Sequence, residues 1–189
     1  MRGLPSGRGL ALRWVLLLAV GCSTGPEVGT ALRLEYALDS SREVSRKSGG
    51  FFTPVSTTEV EFEPDIVGLG VEWGDPEKLT AGLAYRQIDD GFRATGEFEV
   101  AARMYLGSEG PVWGFLQVGV GLHEPPEWID NAWVFGLGLG GGVAWRPADH
   151  VQLELMARLT FADRDSGILG YDDTSIRGTD ILFGAAFWF

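Results

Sequence analysis

Cysteine is almost missing from this chain: Cys22 is the single one in 189 residues, which excludes an intrachain disulfide and any multi-cysteine metal site. Histidine is scarce too, with His123 and His150 the whole complement. His150 falls in a short turn and His123 sits beside Glu124, neither with a serine at a suggestive spacing. No catalytic residue is therefore named, since a hydrolase triad needs three groups in mutual hydrogen bonding. After the N-terminus there is no run of about eighteen apolar residues, so no membrane-spanning helix is available. Positive charge is the minority sign: a net charge of -11 argues against a nucleic-acid partner, because phosphate contacts need a basic surface. The aspartates Asp89, Asp90, Asp163, Asp165, Asp172, Asp173 and Asp180 do not match the spacing of a calcium-binding loop. No metal and no cofactor is expected.

Glycine and aromatic residues are plentiful, at 28 glycines and 12% aromatics, a combination that favours sheets with close backbone approach. From Ala132 to Ala162 two alternating segments flank a tight Arg-Pro-Ala-Asp-His turn. In the first, Trp133, Phe135, Leu137, Leu139, Val143 and Trp145 share one face, and Gly136, Gly138, Gly140 and Gly142 share the other. In the second, Val151, Leu153, Leu155, Ala157, Leu159 and Phe161 alternate with Gln152, Glu154, Met156, Arg158 and Thr160. A period of two marks β-strands with unlike faces, and about ten tilted residues suffice to cross a bilayer. The glycines sit at that period inside a strand, not before a helix, so they are no phosphate-cradling loop.

The same pattern predicts strands over Ala31 to Asp39, Thr58 to Trp73, Leu79 to Ile88, Thr95 to Leu106, Val112 to His123 and Ile181 to Phe189, eight in all. In the second of these the apolar phase passes from Val60 and Phe62 to Val67, Leu69, Val71 and Trp73, which places a bulge at Pro64. Connections alternate between short (74–78, 107–111, 146–150) and long, including polar loops over 40–56 and 163–180. An even strand count with short turns at one end and long loops at the other is the pattern of outer-membrane barrels, and it puts both termini on the periplasmic side.

The first segment reads as an address. Arg2, Arg8 and Arg13 precede the apolar run 14–20, as in an export signal, which assigns residues 1–21 to a signal peptide and 22–30 to a periplasmic spacer before a barrel over 31–189. Leu18-Ala19-Val20-Gly21-Cys22 resembles a lipobox, making Cys22 a candidate for lipidation. Arg42, Arg46 and Lys47 are candidate contacts to lipopolysaccharide phosphates, and Phe51, Phe52 and Trp128 are candidate loop aromatics for a partner.

A soluble barrel also alternates, with its apolar face inward. Three features favour a membrane barrel instead. The polar phase carries arginines and glutamates among small residues, including Glu61, and few lysines. The apolar phase ends in aromatics, Trp73, Trp145 and Phe189 near the turn end and Tyr85, Trp133 and Phe161 near the loop end, which are candidate interfacial girdles. The chain stops at Gly184-Ala185-Ala186-Phe187-Trp188-Phe189, which resembles the terminal signal of outer-membrane barrels.

From about Ala31 to Phe189 the chain resembles the small eight-stranded outer-membrane β-barrels, the OmpA-barrel and OmpX-like group. The glycine-rich strand, Arg-Pro-x-Asp turn and Leu-Glu-Leu strand look like that group's penultimate hairpin. The resemblance implies an all-β, eight-stranded antiparallel up-and-down transmembrane barrel of the bacterial outer membrane. It implies partners among outer-membrane lipids, lipopolysaccharide and the barrel-assembly machinery, with Gly184, Phe187 and Phe189 as the assembly signal.

An eight-stranded barrel is just wide enough for side chains to fill it. Arg33, Glu35, Arg86, Glu97, Glu99, Arg103, Glu154 and Arg158 are therefore expected to form an interior ion network that satisfies itself, because unpaired buried charge is costly. A structural or surface-interaction role without catalysis follows. The alternatives are a narrow channel, or transporter of small apolar solutes, in which Arg103 or Arg158 exchanges carboxylate partners, and a lipid-modifying enzyme built around a histidine.

Overall fold

The structure, a computed structural model, describes residues 29–50, 53–91, 93–107, 110–127, 132–165 and 170–189. The signal-like leader, Cys22, Phe51, Phe52 and Trp128 lie outside the described residues. Among the described residues nine strand segments follow one another: β1 (Gly29–Gly50), β2 (Thr53–Phe62), β3 (Asp65–Asp75), β4 (Leu79–Asp89), β5 (Ala94–Leu106), β6 (Val112–His123), β7 (Val134–Ala148), β8 (Val151–Asp165) and β9 (Gly170–Trp188). β2 and β3 are two lengths of one stave, both antiparallel to β1. The sheet closes where β9 pairs antiparallel with β1, from Ala31 opposite Trp188 to Gly50 opposite Gly170. The result is a closed, eight-stave, all-antiparallel barrel in which each remaining strand pairs with the next in sequence. At the seam the Phe189 amide donates to Thr30 carbonyl oxygen at 2.8 Å, joining the two ends of the sheet.

Alternation sorts the faces. Val67, Leu69, Val71 and Trp73 on β3, Leu83 and Tyr85 on β4, Phe98, Val100 and Met104 on β5, and Leu137, Leu139 and Val143 on β7 are exposed on the outside. Their polar-phase neighbours are buried inside. The apolar belt is about eight to ten residues long on each stave, roughly 25 Å once the strand tilt of such barrels is included. Trp73, Trp145 and Phe189 edge it at the short-turn end. At the opposite edge Tyr85, Phe98 and Trp133 stack side by side, with ring centroids 4.8 and 5.8 Å apart.

Two expectations are corrected. The slip in alternation is not at Pro64. Tyr36 pairs with Val67 and Arg42 with Phe62, so residues 37–41 of β1 face only residues 63–66. On the other side Ala37 pairs with Leu182 and Asp39 with Ile181, which leaves Leu38 as the extra residue. The bulge is thus in β1, and Leu38 and Asp39 both point outward. From Val60 to Glu72 the even positions stay inward without a break, Pro64 included, and the Ser40 hydroxyl donates to its carbonyl oxygen. Val60 and Phe62 therefore belong to the inside, packed on Val44, Val134, Ala162 and Ile176, while Glu61 is exposed on the outside. The periodicity was continuous; what changed was the character of the interior, from charged within the belt to apolar above it.

The second correction concerns the loops over 40–56 and 163–180. β1 and β2 form a hairpin running from Arg42 opposite Phe62 to Gly50 opposite Thr53. β8 and β9 continue in register to Asp165 opposite Asp173. β1 and β9 pair over the same height, so a four-stranded sheet, ordered β2-β1-β9-β8, stands beyond the belt at the long-loop end. Its polar composition masked strands whose backbone bonds, not whose burial, hold them.

Candidate functional site: the interior ion stack

Each interior charge reaches the axis because it lies on the inward phase of its strand, and because glycines on neighbouring strands make room for it. Gly119 and Gly138 show the need: a Cβ added there would lie 2.7 and 2.9 Å from carboxylate oxygens of Glu99. The glycine face of β7, read as the non-apolar phase of a strand, is the floor on which Glu99 and Arg158 lie.

All eight residues expected in the network are buried and bonded to one another. Toward the short-turn end, Arg33 donates through Nε to Glu35 at 2.9 Å, through Nη1 to Glu72 at 2.8 Å, and also to Glu154. Arg103 donates to Glu72 and Glu154, each at 3.2 Å, and to Gln117. Gln152 donates to Glu154 at 2.6 Å and to the Tyr105 hydroxyl at 2.9 Å, while Thr80 donates to Glu72.

Toward the long-loop end, Arg86 donates to Glu35 at 2.7 Å, to Glu97 at 2.8 Å and to Glu99 at 3.1 Å. Arg158 donates to Glu97, to Glu99 at 2.5 Å and to Asp180 at 3.2 Å. Arg42 grips Asp180 with both terminal nitrogens, at 2.5 and 2.9 Å. Glu35, shared by Arg33 and Arg86, and Gln117, which donates to Glu99 at 2.8 Å, tie the two tiers together.

Five charged or amide members were not anticipated. Glu72, Gln117 and Gln152 lie on inward phases that the alternation of their strands already defined. Arg42 and Asp180 were placed in polar loops, Arg42 as a candidate lipopolysaccharide contact; both are buried and paired with each other, because β1 and β9 run on past the belt. Of the other two basic candidates, Lys47 is exposed and Arg46 is half-buried. His123, weighed as a poor catalytic candidate, is buried with Nδ1 3.0 Å from Glu97 Oε2.

The buried charges nearly balance. Five guanidiniums (Arg33, Arg42, Arg86, Arg103, Arg158) face six carboxylates (Glu35, Glu72, Glu97, Glu99, Glu154, Asp180), with His123 against the last tier. Between the tiers lies a cavity of about 30 Å³ lined by Arg33, Glu35, Glu72, Arg86, Glu99, Arg103 and the small residues Gly70, Gly82, Ala84 and Ala101. That is room for about two waters at some 10–15 Å³ each. Below the stack Arg103 lies over Phe115 at 4.7 Å and Arg146 over Trp113 at 4.8 Å. Arg146 also spans the mouth to the Pro76 carbonyl and Gln152, both at 3.3 Å. Among the described residues no group of acidic, histidine and cysteine side chains is arranged to hold a metal ion.

By sequence the chain matches no protein-family model and no curated protein. By structure it resembles Neisserial surface protein A, at 12% identity and a TM-score of 0.53, over 84% of this chain and 99% of that one. It also resembles the outer-membrane protein AlkL as determined in lipid bilayers, at 11% identity and a TM-score of 0.51, over 89% and 94% of the two chains. The fold is that of the small eight-stranded outer-membrane barrels.

Proposed function

We propose that the protein is a closed outer-membrane β-barrel whose working part is the sheet it raises above the membrane, and that it conducts no solute and catalyses no reaction. The ion stack carries this reading. A conducting path would have to separate several charge-assisted hydrogen bonds at once, each worth about 1.5–3 kcal/mol. The outward belt supports insertion, since bare apolar staves flanked by aromatic girdles suit hydrocarbon and its interfaces. The short-turn end and both termini then face the periplasm, the long-loop end faces outward, and Gly184, Phe187 and Phe189 on the closing strand serve the assembly machinery.

The test has two parts. Unboiled protein from purified outer membranes should migrate differently from boiled protein, and the folded form should give no steady current in planar bilayers. A heat-dependent shift with steady conductance would overturn the closed reading in favour of a channel. No shift, with soluble protein after export, would overturn the membrane reading itself.

A further inference from the structure

At the short-turn end an open groove of about 450 Å³ runs over the rim of the barrel, lined by Glu77, Lys78, Leu79, Met104, Tyr105 and Gly107. Its volume is that of a small-ligand site. Its three parts differ in character. Leu79 and Met104 stand opposite each other on the outer face of β4 and β5, where both are exposed and continue the apolar belt. Glu77 and Lys78, in the turn between β3 and β4, make a rim of both signs. Tyr105 and Gly107 lead inward to the mouth.

The rim is held in place. The Tyr105 amide donates to the Lys78 carbonyl oxygen at 2.9 Å, fixing the turn against β5. Arg146 donates to Glu77 Oε1 at 3.4 Å and keeps that carboxylate beside the groove. Lys78 Nζ is 3.1 Å from Asp75, but its side chain is 81% exposed, and an exposed pair of this kind is weak enough for a better acceptor to displace. At the inner end Gly107, with φ at 108°, has no side chain to cover Trp113: a Cβ there would meet only the indole Cδ1, at 3.8 Å. The pyrrole edge of Trp113 therefore faces the groove at Gly107. Trp113 is 7% exposed, and its Nε1 donor, the atom next to Cδ1, has no acceptor among the described residues. A buried indole N–H without a partner is costly, and a ligand oxygen would satisfy it.

Resting on the reading that the short-turn end faces the periplasm, we infer that this groove is a headgroup site for a glycerophospholipid of the periplasmic leaflet, one whose headgroup carries both a phosphate and a primary ammonium. Lys78 and the Trp113 indole donate to the phosphate oxygens, Glu77 accepts from the ammonium, and an acyl chain lies along Leu79 and Met104. The two signs on the rim select this headgroup. A lipid with phosphate alone would set its anion beside Glu77 with nothing to offer that carboxylate, and a quaternary ammonium has no hydrogen to donate to it. Lipopolysaccharide fits less well, because its several phosphates would meet Asp75 and Glu77 together.

The experiment titrates the folded full-length barrel, in uncharged detergent micelles, with short-chain phosphatidylethanolamine, phosphatidylglycerol or phosphatidylcholine, and follows amide and indole resonances by NMR. The expected result is saturable binding of phosphatidylethanolamine, with changes confined to residues 77–79, 104–107 and the Trp113 indole N–H. The other two lipids should bind about tenfold more weakly, the loss of one charge-assisted hydrogen bond. Lys78→Gln should weaken phosphatidylethanolamine and phosphatidylglycerol alike, whereas Glu77→Gln should erase the preference between them, with the heat-dependent shift retained in both variants. Equal binding of the three lipids, or an unmoved indole resonance, would reduce Lys78 to a lysine that snorkels to the interface and overturn the inference. So would tighter binding of phosphatidylglycerol, which would make the rim a plain anion site. Failure of the heat-dependent shift would instead strike the membrane reading on which it rests.

Discussion

Replacing Arg158 by methionine tests the ion stack most directly. The side chain is 1% exposed and holds Glu97, Glu99 and Asp180 together. Methionine keeps much of the stem volume and removes the charge, leaving six buried carboxylates against four guanidiniums. Removing one partner of a buried ion pair costs about 3–5 kcal/mol, because the other is left uncompensated. Arg86 still reaches Glu97 and Glu99, and Arg42 still grips Asp180, which places the loss near the lower end. With a urea slope of about 2 kcal/mol per M, a loss of about 3 kcal/mol moves the midpoint down by about 1.5 M. The assay is urea unfolding of vesicle-inserted protein, followed by tryptophan fluorescence, to which the belt residues Trp73, Trp133 and Trp145 report. Adding Glu99→Gln should recover part of the loss, since the two residues share one network and their effects are not additive. A midpoint shift under about 0.3 M, or a double variant that loses the plain sum of the singles, would refute the reasoning.

Three further outcomes are expected. Gly119→Val forces a side chain into the space of the Glu99 carboxylate and should destabilise by about 1–3 kcal/mol, read by the same titration. Arg146→Ala removes the stack on Trp113 and the bridge to Pro76, so acrylamide should quench buried tryptophan more strongly while stability falls by about 1 kcal/mol; unchanged quenching would mean the mouth is closed by something else. Deleting Phe189 removes the amide that bonds Thr30 at the seam, and the protein should be lost from the heat-shifted fraction of outer membranes.

Much of the stack was legible because alternation fixes which face each side chain takes. Arg33 and Glu35, or Glu97, Glu99 and Arg103, cannot all share the inward phase of a narrow cylinder unless they neutralise one another. His123, Gln117, Glu72 and Gln152 were equally readable by phase, but uncharged or singly placed residues carry little weight in a pattern of charges. Arg42 and Asp180 were hidden for a different reason. Their segments lack the apolar half of the alternation, because above the belt the outer face meets water and no longer needs it. The bulge was misplaced by the same change of solvent: an apolar interior at Val60 and Phe62 looks, in one dimension, like an outward strand out of step.

The eight staves, the short turns between them, the closed barrel and eight members of its charged lining were legible in the chain, since these follow from a period of two and the reach of ten residues. Which residues are opposite one another came from the three-dimensional pairing of the strands alone. It placed the extra residue at Leu38, joined Arg42 to Asp180 across 138 positions, drew His123 onto Glu97 and, among the described residues, left the far side of β2 without a partner strand. Those are matters of register and of where one strand outlasts its neighbour. They are set by backbone hydrogen bonds between segments far apart in the chain, and such bonds leave no mark on the local pattern of side chains.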